Sequence, residues 1–252
     1  LGLSGAALQS LFRNPLADPA LVGISSGAAL AVALSIVFGG VVWSSPDTYQ
    51  AVLPVVAFVG ALVAALLVYR IGCTAWGVSV AAMLLAGIAV NALALALIGL
   101  ASYLASDEQL RTLTFWSLGS LSAASWRVTG LVALGVLPAA ALLLSLCRGM
   151  NALALGEAEA RHLGIEVERL KKAVILASAL AVGASVAFCG VISFVGLVAP
   201  HIVRLLSGPD AKVVLPGGAL LGAVLVVMAD TAARTMAAPA EVPIGVLTAL
   251  LG

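Results

Sequence analysis

Residues 79–104 read SVAAMLLAGIAVNALALALIGLASYL, a run without one charged side chain. Such a run satisfies its backbone polar groups in lipid only by bonding them to one another, and about 20 helical residues cross a hydrocarbon core of roughly 30 Å. Comparable runs recur at roughly 21–43, 52–70, 127–147, 168–190 and 215–237. Only 9% of the chain is charged and 63% is hydrophobic, whereas soluble domains carry about 25% charged residues. The expected fold is all-α, a polytopic helical membrane protein. A membrane β-barrel would read as short segments of alternating polarity, and that pattern is absent.

The shorter pieces fit the same plan. Residues 1–12 read as the tail of a span, closed by the polar turn RNPLADP at 13–19. The apolar segment 191–206 is short and carries Pro200, so a kinked or partial span is expected. Residues 106–125 begin polar and carry Phe115 and Trp116, which predicts a short interfacial helix. Residues 243–252 look like the start of another span. With apolar sequence at both ends and no initiator Met, the chain reads as a fragment lacking membrane segments on each side. Cys73, Cys147 and Cys189 lie far apart in or beside apolar runs and read as small core residues, not as a disulfide or metal framework. Glycines at four-residue spacing, Gly23/Gly27 and Gly218/Gly222, predict close helix packing.

Charge sets the orientation. With alternating crossings, Arg13, Arg70, Arg148, Arg161, Arg169, Lys171, Lys172, Arg204 and Lys212 fall on one side, and Arg111, Arg127 and Arg234 on the other. The richer side is cytoplasmic by the positive-inside rule. On that side lies the longest polar interruption, residues 151–168 (NALALGEAEARHLGIEVE), with four of the eleven acidic residues: Glu157, Glu159, Glu166 and Glu168. A helix is expected from about Leu153 to Leu163, with Glu157 and Arg161 paired at i,i+4 and Gly164 as its stop. So short a helix is marginal in water unless it docks on something. Two readings stand at this point, a docking helix for a separate ATP-hydrolysing protein and an ordinary solvated loop.

Residues that could carry chemistry are few. An ionised side chain at a helix centre costs about 2.5–3.5 kcal/mol on insertion scales. Asp230 and Arg234, at i,i+4 toward the outer end of the last long span, can neutralise each other as an intramembrane ion pair. A structural pair and a substrate contact are both open. The two histidines, His162 and His201, form no HExxH, no Gly-x-Ser-x-Gly elbow is present, and no Walker A loop precedes any lysine. No metal site, enzyme constellation or basic nucleic-acid patch emerges, so ATP-driven work would have to come from a partner.

Five collinear stretches now carry a resemblance: residues 12–27 (FRNPLADPALVGISSG), 116–121 (WSLGSL), 151–164 (NALALGEAEARHLG), 190–206 (GVISFVGLVAPHIVRLL) and 238–252 (APAEVPIGVLTALLG). Together they resemble the permease subunits of type II ABC importers, which carry ferric siderophores, haem and cobalamin. The resemblance implies one transmembrane permease domain over 1–252, partial at both ends and holding about eight of the family's ten spans. It implies a homodimer in the bacterial inner membrane, two cytoplasmic ATP-binding subunits that use ATP and Mg, and a periplasmic binding protein. No cofactor is expected on this chain. The family's coupling helix matches residues 151–164, so Leu155, Gly156, Glu157, Ala160, Arg161 and Leu163 are expected to meet the ATPase. Its cytoplasmic gate maps near Ser79, Val80 and Ala81. Arg111, Arg127, Arg234 and Glu241 are candidates for docking the binding protein. The wording FRNPLADPALVGISSGAAL and LGEAEARHLGI is most similar to the haem-importing branch, with a ferric siderophore or cobalamin as alternatives. An ion-coupled secondary transporter is the more distant alternative, against which the scarcity of intramembrane acids argues.

Overall fold

The computed structural model describes residues 1–39, 46–74, 77–236 and 242–250. Five helices among them are long and apolar enough to cross a membrane. These are α3 (Pro46–Gly72), α4 (Val80–Leu104), α6 (Trp126–Ser145), α9 (Val167–Cys189) and α11 (Ala211–Thr235). Shorter apolar helices complete the bundle: α1 (Gly2–Phe12), α2 (Ile24–Phe38), α10 (Val195–Ser207) and α12 (Ile244–Leu250). The chain is an all-α polytopic membrane protein.

The run expected as one span at 21–43 is corrected by the backbone. A 3₁₀ turn at Pro19–Val22 is capped by the Asp18 carboxylate and ends at Gly23, φ +78°. Only Ile24–Phe38 then continues as α2. At ~1.5 Å per residue this helix is shorter than the hydrocarbon core. The left-handed turn that glycine permits is what splits the run. Asn91 of α4 donates to the Ala20 carbonyl at 2.9 Å and also meets Ser26, so α4 holds the turn inside the bundle. The expected partial span is α10, with Pro200 inside it. The expected interfacial helix is α5 (Asp107–Leu118), opened by a capping box between Ser106 and Gln109. Gln109 also donates to the Ile36 carbonyl at 3.0 Å, closing the end of α2.

At the centre stands α9, packed by α1, α2, α3 and α6 and buried along most of its length. Close approach depends on glycine. A Cβ on Gly27 would collide with Ala64 and with the Gly60 carbonyl across the α2–α3 contact, and one on Gly2 with the Gly218 carbonyl of α11. The four-residue glycine spacing is therefore packing at Gly27 and Gly218; Gly23 instead supplies the turn.

Backbone bonds sort the loops into two ends. At one end Ser120 N–H donates to Cys189 at 2.9 Å, Ile244 N–H donates to Gly119 at 3.2 Å, and Arg234 reaches the Leu121 carbonyl. At the other end lie residues 73–74 and 77–79, the short helices between α6 and α9, and the start of α11.

Candidate functional site

The polar interruption folds as two helices, not as the single helix expected from Leu153 to Leu163. The first, α7 (Cys147–Leu155), stops at Gly156, whose φ of 141° and ψ of 154° lie outside the helical region; α8 (Glu157–His162) starts directly after. In α8, Glu157 and Glu159 sit in the first turn and Arg161 and His162 in the last, the order the helix dipole favours. It ends where expected: Gly164, φ +81°, donates to the Arg161 carbonyl at 3.0 Å, and Ile165 N–H to that of Ala160 at 3.0 Å.

Six residues do not hold a helix in water, so α8 needs anchors. Ala160 is one, 0% exposed against the body of the protein. Lys171 of α9 supplies the other. Its side chain is only 2% exposed, and its ammonium has three acceptors on three segments. These are the Val78 carbonyl at 2.7 Å, Glu157 Oε1 at 2.9 Å and Glu168 Oε1 at 3.4 Å. An ammonium has three donors and cannot be buried with them unmet, so the arrangement is complete in stoichiometry. Glu168 Oε2 in turn accepts from Val78 N–H at 2.8 Å. Arg161 lies 3.7 Å from both Glu157 and Glu168, balancing the cluster at two positive and two negative groups. The expected Glu157–Arg161 pair is thus present, but as the exposed rim of a larger network.

Val78 belongs to a small antiparallel hairpin, β1 (Cys73–Thr74) with β2 (Gly77–Val78), immediately before α4. The residues expected at the gate begin there. Ser79 is the N-cap of α4 and its hydroxyl accepts from Ala82 N–H; Val80 is half-buried and Ala81 exposed. Gly77, φ +114°, holds a backbone conformation that strains any other residue, and a Cβ there would push on the Glu168 carboxylate, 2.8 Å from Oε1.

A second clamp joins α7 to α11. The Asn151 amide donates to Asp210 Oδ1 at 2.6 Å, and its oxygen accepts from Ala211 N–H at 2.8 Å. Asp210 also caps α11 through Lys212 N–H at 2.9 Å. These bonds to its charged form hold the Asp210 carboxyl below its ordinary value, the Asn151 bond first.

Of the six residues expected to face an ATPase, Leu155, Arg161 and Leu163 are exposed and Glu157 is half-buried. Ala160 and Gly156 are buried, because one packs α8 onto the protein and the other forms the corner between α7 and α8. At the opposite end Arg234 Nε meets Asp230 Oδ2 at 2.9 Å, Arg111 lies over the Phe115 ring at 5.7 Å, and Arg127 is exposed. Glu241 lies outside the described residues.

With this geometry in view, comparison with known proteins is decisive. The FecCD transport family matches residues 1–252. The chain belongs to the FecCD transport family. It is 46% identical over its whole length to the hemin transport system permease protein HmuU of Yersinia pestis, spanning 75% of that protein. It is 41% identical to the cobalamin import system permease BtuC of Halobacterium salinarum, of which it spans 66%, and 39% identical to the vitamin B12 permease BtuC of Shigella sonnei, of which it spans 75%. A solved inward-facing metal-chelate type ABC transporter matches all of the chain and 78% of its own, with a TM-score of 0.90 at 34% identity. The chain is accordingly the permease of an ABC importer, a multi-pass membrane subunit of a family that implies an ATPase and a binding protein as partners.

In this FecCD chain the residues that sequence reasoning missed are Lys171, Glu168 and Asn151. Lys171 counted only as a cytoplasmic charge. One available signal was its position three residues after Glu168 at the head of an apolar helix, where a lysine on the inward face needs an acid partner.

Proposed function

We propose that this FecCD permease moves haem across the bacterial inner membrane as a homodimer, driven by two cytoplasmic ATPase subunits that hydrolyse ATP with Mg and fed by a periplasmic binding protein. The observation that carries the reading is α8. It is held from behind by Ala160 and Lys171, and is flanked by Leu155 at the end of α7 and Leu163 at its own C-cap, 69% and 63% exposed beside the Glu157–Arg161 pair. Apolar side chains flanking a short charged helix suit a groove in a partner, where docking buries them and the ion pair sets register. Closure of the ATPase pair then displaces α8, and the spans follow as packed rigid bodies. The ends 119–127 and 230–234, with Arg111, Arg127 and Arg234, form the surface assigned to the binding protein.

Haem is favoured by the higher identity to HmuU than to the BtuC proteins. Cobalamin is the second reading, supported by those same BtuC relatives, and a ferric siderophore the third. The test uses the full-length permease with its ATPase in liposomes, offered binding protein loaded with haem, cobalamin or a ferric siderophore. ATP-dependent accumulation of haem alone is expected. Accumulation of another ligand alone overturns the substrate. Uptake that ignores ATP and collapses with an ion gradient overturns the class of mechanism.

A further inference from the structure

We propose that Lys171 is a positioning residue that locks α8, the start of α9 and the start of α4 into one moving body, so that displacement of α8 is delivered to the cytoplasmic end of α4. The proposal rests on the ATPase docking at α8 and names the link by which that docking reaches the gate.

The geometry converges on one residue. Both backbone polar groups of Val78 are held by α9 side chains: its N–H by Glu168 at 2.8 Å and its carbonyl by Lys171 at 2.7 Å. Val78 is itself buried at 7% exposure, and the next residue, Ser79, donates its N–H to the Gly72 carbonyl at 2.9 Å and caps α4. Residues 78–79 therefore cannot shift relative to α9 without breaking a charge-assisted bond to a buried group. Such bonds are short and roughly twice as strong as neutral ones. The third bond of Lys171, to Glu157 at 2.9 Å, is its only ionic contact with α8. Glu157 and the Val78 carbonyl are thus joined through a single nitrogen. A hydrophobic residue would serve packing at this depth equally well, and a buried ion pair is weak support for stability. Its use is directional: it ties β2 to α8, which are separated along the chain by α4, α5, α6 and α7.

The ammonium is buried away from the exposed face of α8, and without it the helix keeps its Ala160 anchor and the Ile165 N–H bond to the Ala160 carbonyl. The test compares the wild-type permease with Lys171→Met and Glu168→Ala, each assembled with its ATPase and binding protein in inside-out vesicles. Native Cys73, exposed on β1, reports hairpin movement through its rate of labelling by a membrane-impermeant maleimide with and without ATP; Cys147 is buried and Cys189 is half-buried at the other end of the bundle. In the wild type, ATP changes the labelling rate. In Lys171→Met the complex still forms and hydrolyses ATP, the ATP effect on Cys73 disappears, and uptake falls by about tenfold or more, as expected for loss of a coupling free energy. A merely structural lysine would lower the yield of complex and leave the ATP effect on the recovered fraction unchanged. Uptake within about twofold of wild type, or an intact Cys73 response, overturns the proposal. Should Lys171→Met fail to assemble, Glu168→Ala decides by the same readouts, since it releases the Val78 N–H, one of the lysine's acceptors and the exposed contact to Arg161 while leaving Lys171 bonded to Glu157 and the Val78 carbonyl. Failure of the wild type to bind the ATPase sinks the proposed docking; normal wild-type coupling with equally normal coupling in both variants sinks this link alone.

Discussion

Replacing Gly5 by alanine tests how the bundle is held around its shortest helices. In an isolated helix the change is favourable by about 1 kcal/mol. Here the new methyl group would fall on the carbonyl and Cα of Gly196 in α10. Backbone cannot rotate aside as a side chain can, so α1 and α10 must separate. Just beyond the contact, the amide of Gln9, 1% exposed, donates to the Leu197 carbonyl at 3.2 Å and accepts from Arg204 at 3.1 Å. Separation stretches both bonds. Overpacking costs about 1–3 kcal/mol and an unmet buried amide about 1–3 more. Subtracting the propensity gain leaves roughly 1–5 kcal/mol of destabilisation. For a chain of this size that is a fall in Tm of roughly 2–20 °C. Gly130 in α6 is the control: nothing lies within 4 Å of its hypothetical Cβ, so alanine there should leave Tm unchanged or raise it slightly. Thermal unfolding of the two variants in the same detergent, followed by circular dichroism, makes the comparison. Equal effects at the two sites would refute the claim that backbone contact, and not helix propensity, governs glycine in this bundle.

Reversing the charges at both Glu157 and Arg161 restores their mutual pair but sets an arginine against Lys171. ATP-driven uptake should fall while the spans stay folded, and normal uptake removes the coupling role. Asp230→Ala leaves Arg234 with its contact to the Leu121 carbonyl; with the arginine 43% exposed, screening limits the loss to about 1 kcal/mol, read as a small drop in Tm. Unchanged stability with lost uptake would instead assign Asp230 to the substrate. Asp210 titrates below its ordinary value in the folded protein, so it stabilises the fold above the unfolded value of 3.8 and this support is lost as pH falls through the folded value. Unfolding measured between about pH 3 and pH 6 should flatten in Asp210→Asn, and an unaltered pH profile contradicts the Asn151 clamp.

Much of this protein follows from its sequence by itself. The apolar runs determined the five long spans, because a backbone in lipid has no partner but itself. The polar start and the aromatics of 106–125 placed a short helix there, observed as α5, and Gly164 marked the end of α8, since a helix stop depends on residues within one turn. The family, too, is written in collinear motifs along the whole chain. Tertiary structure decided the rest. The split at Gly23 and the corner at Gly156 needed contacts from α4 and from the packed face of α8, because a glycine permits a left-handed or extended turn without requiring one. Lys171, Glu168 and Val78 meet although the lysine and the valine are 93 positions apart. No periodicity carries that information: a local pattern shows that a lysine stands at the head of a helix, and only the packing of α8 and β2 against that helix decides which acids and which carbonyl it finds.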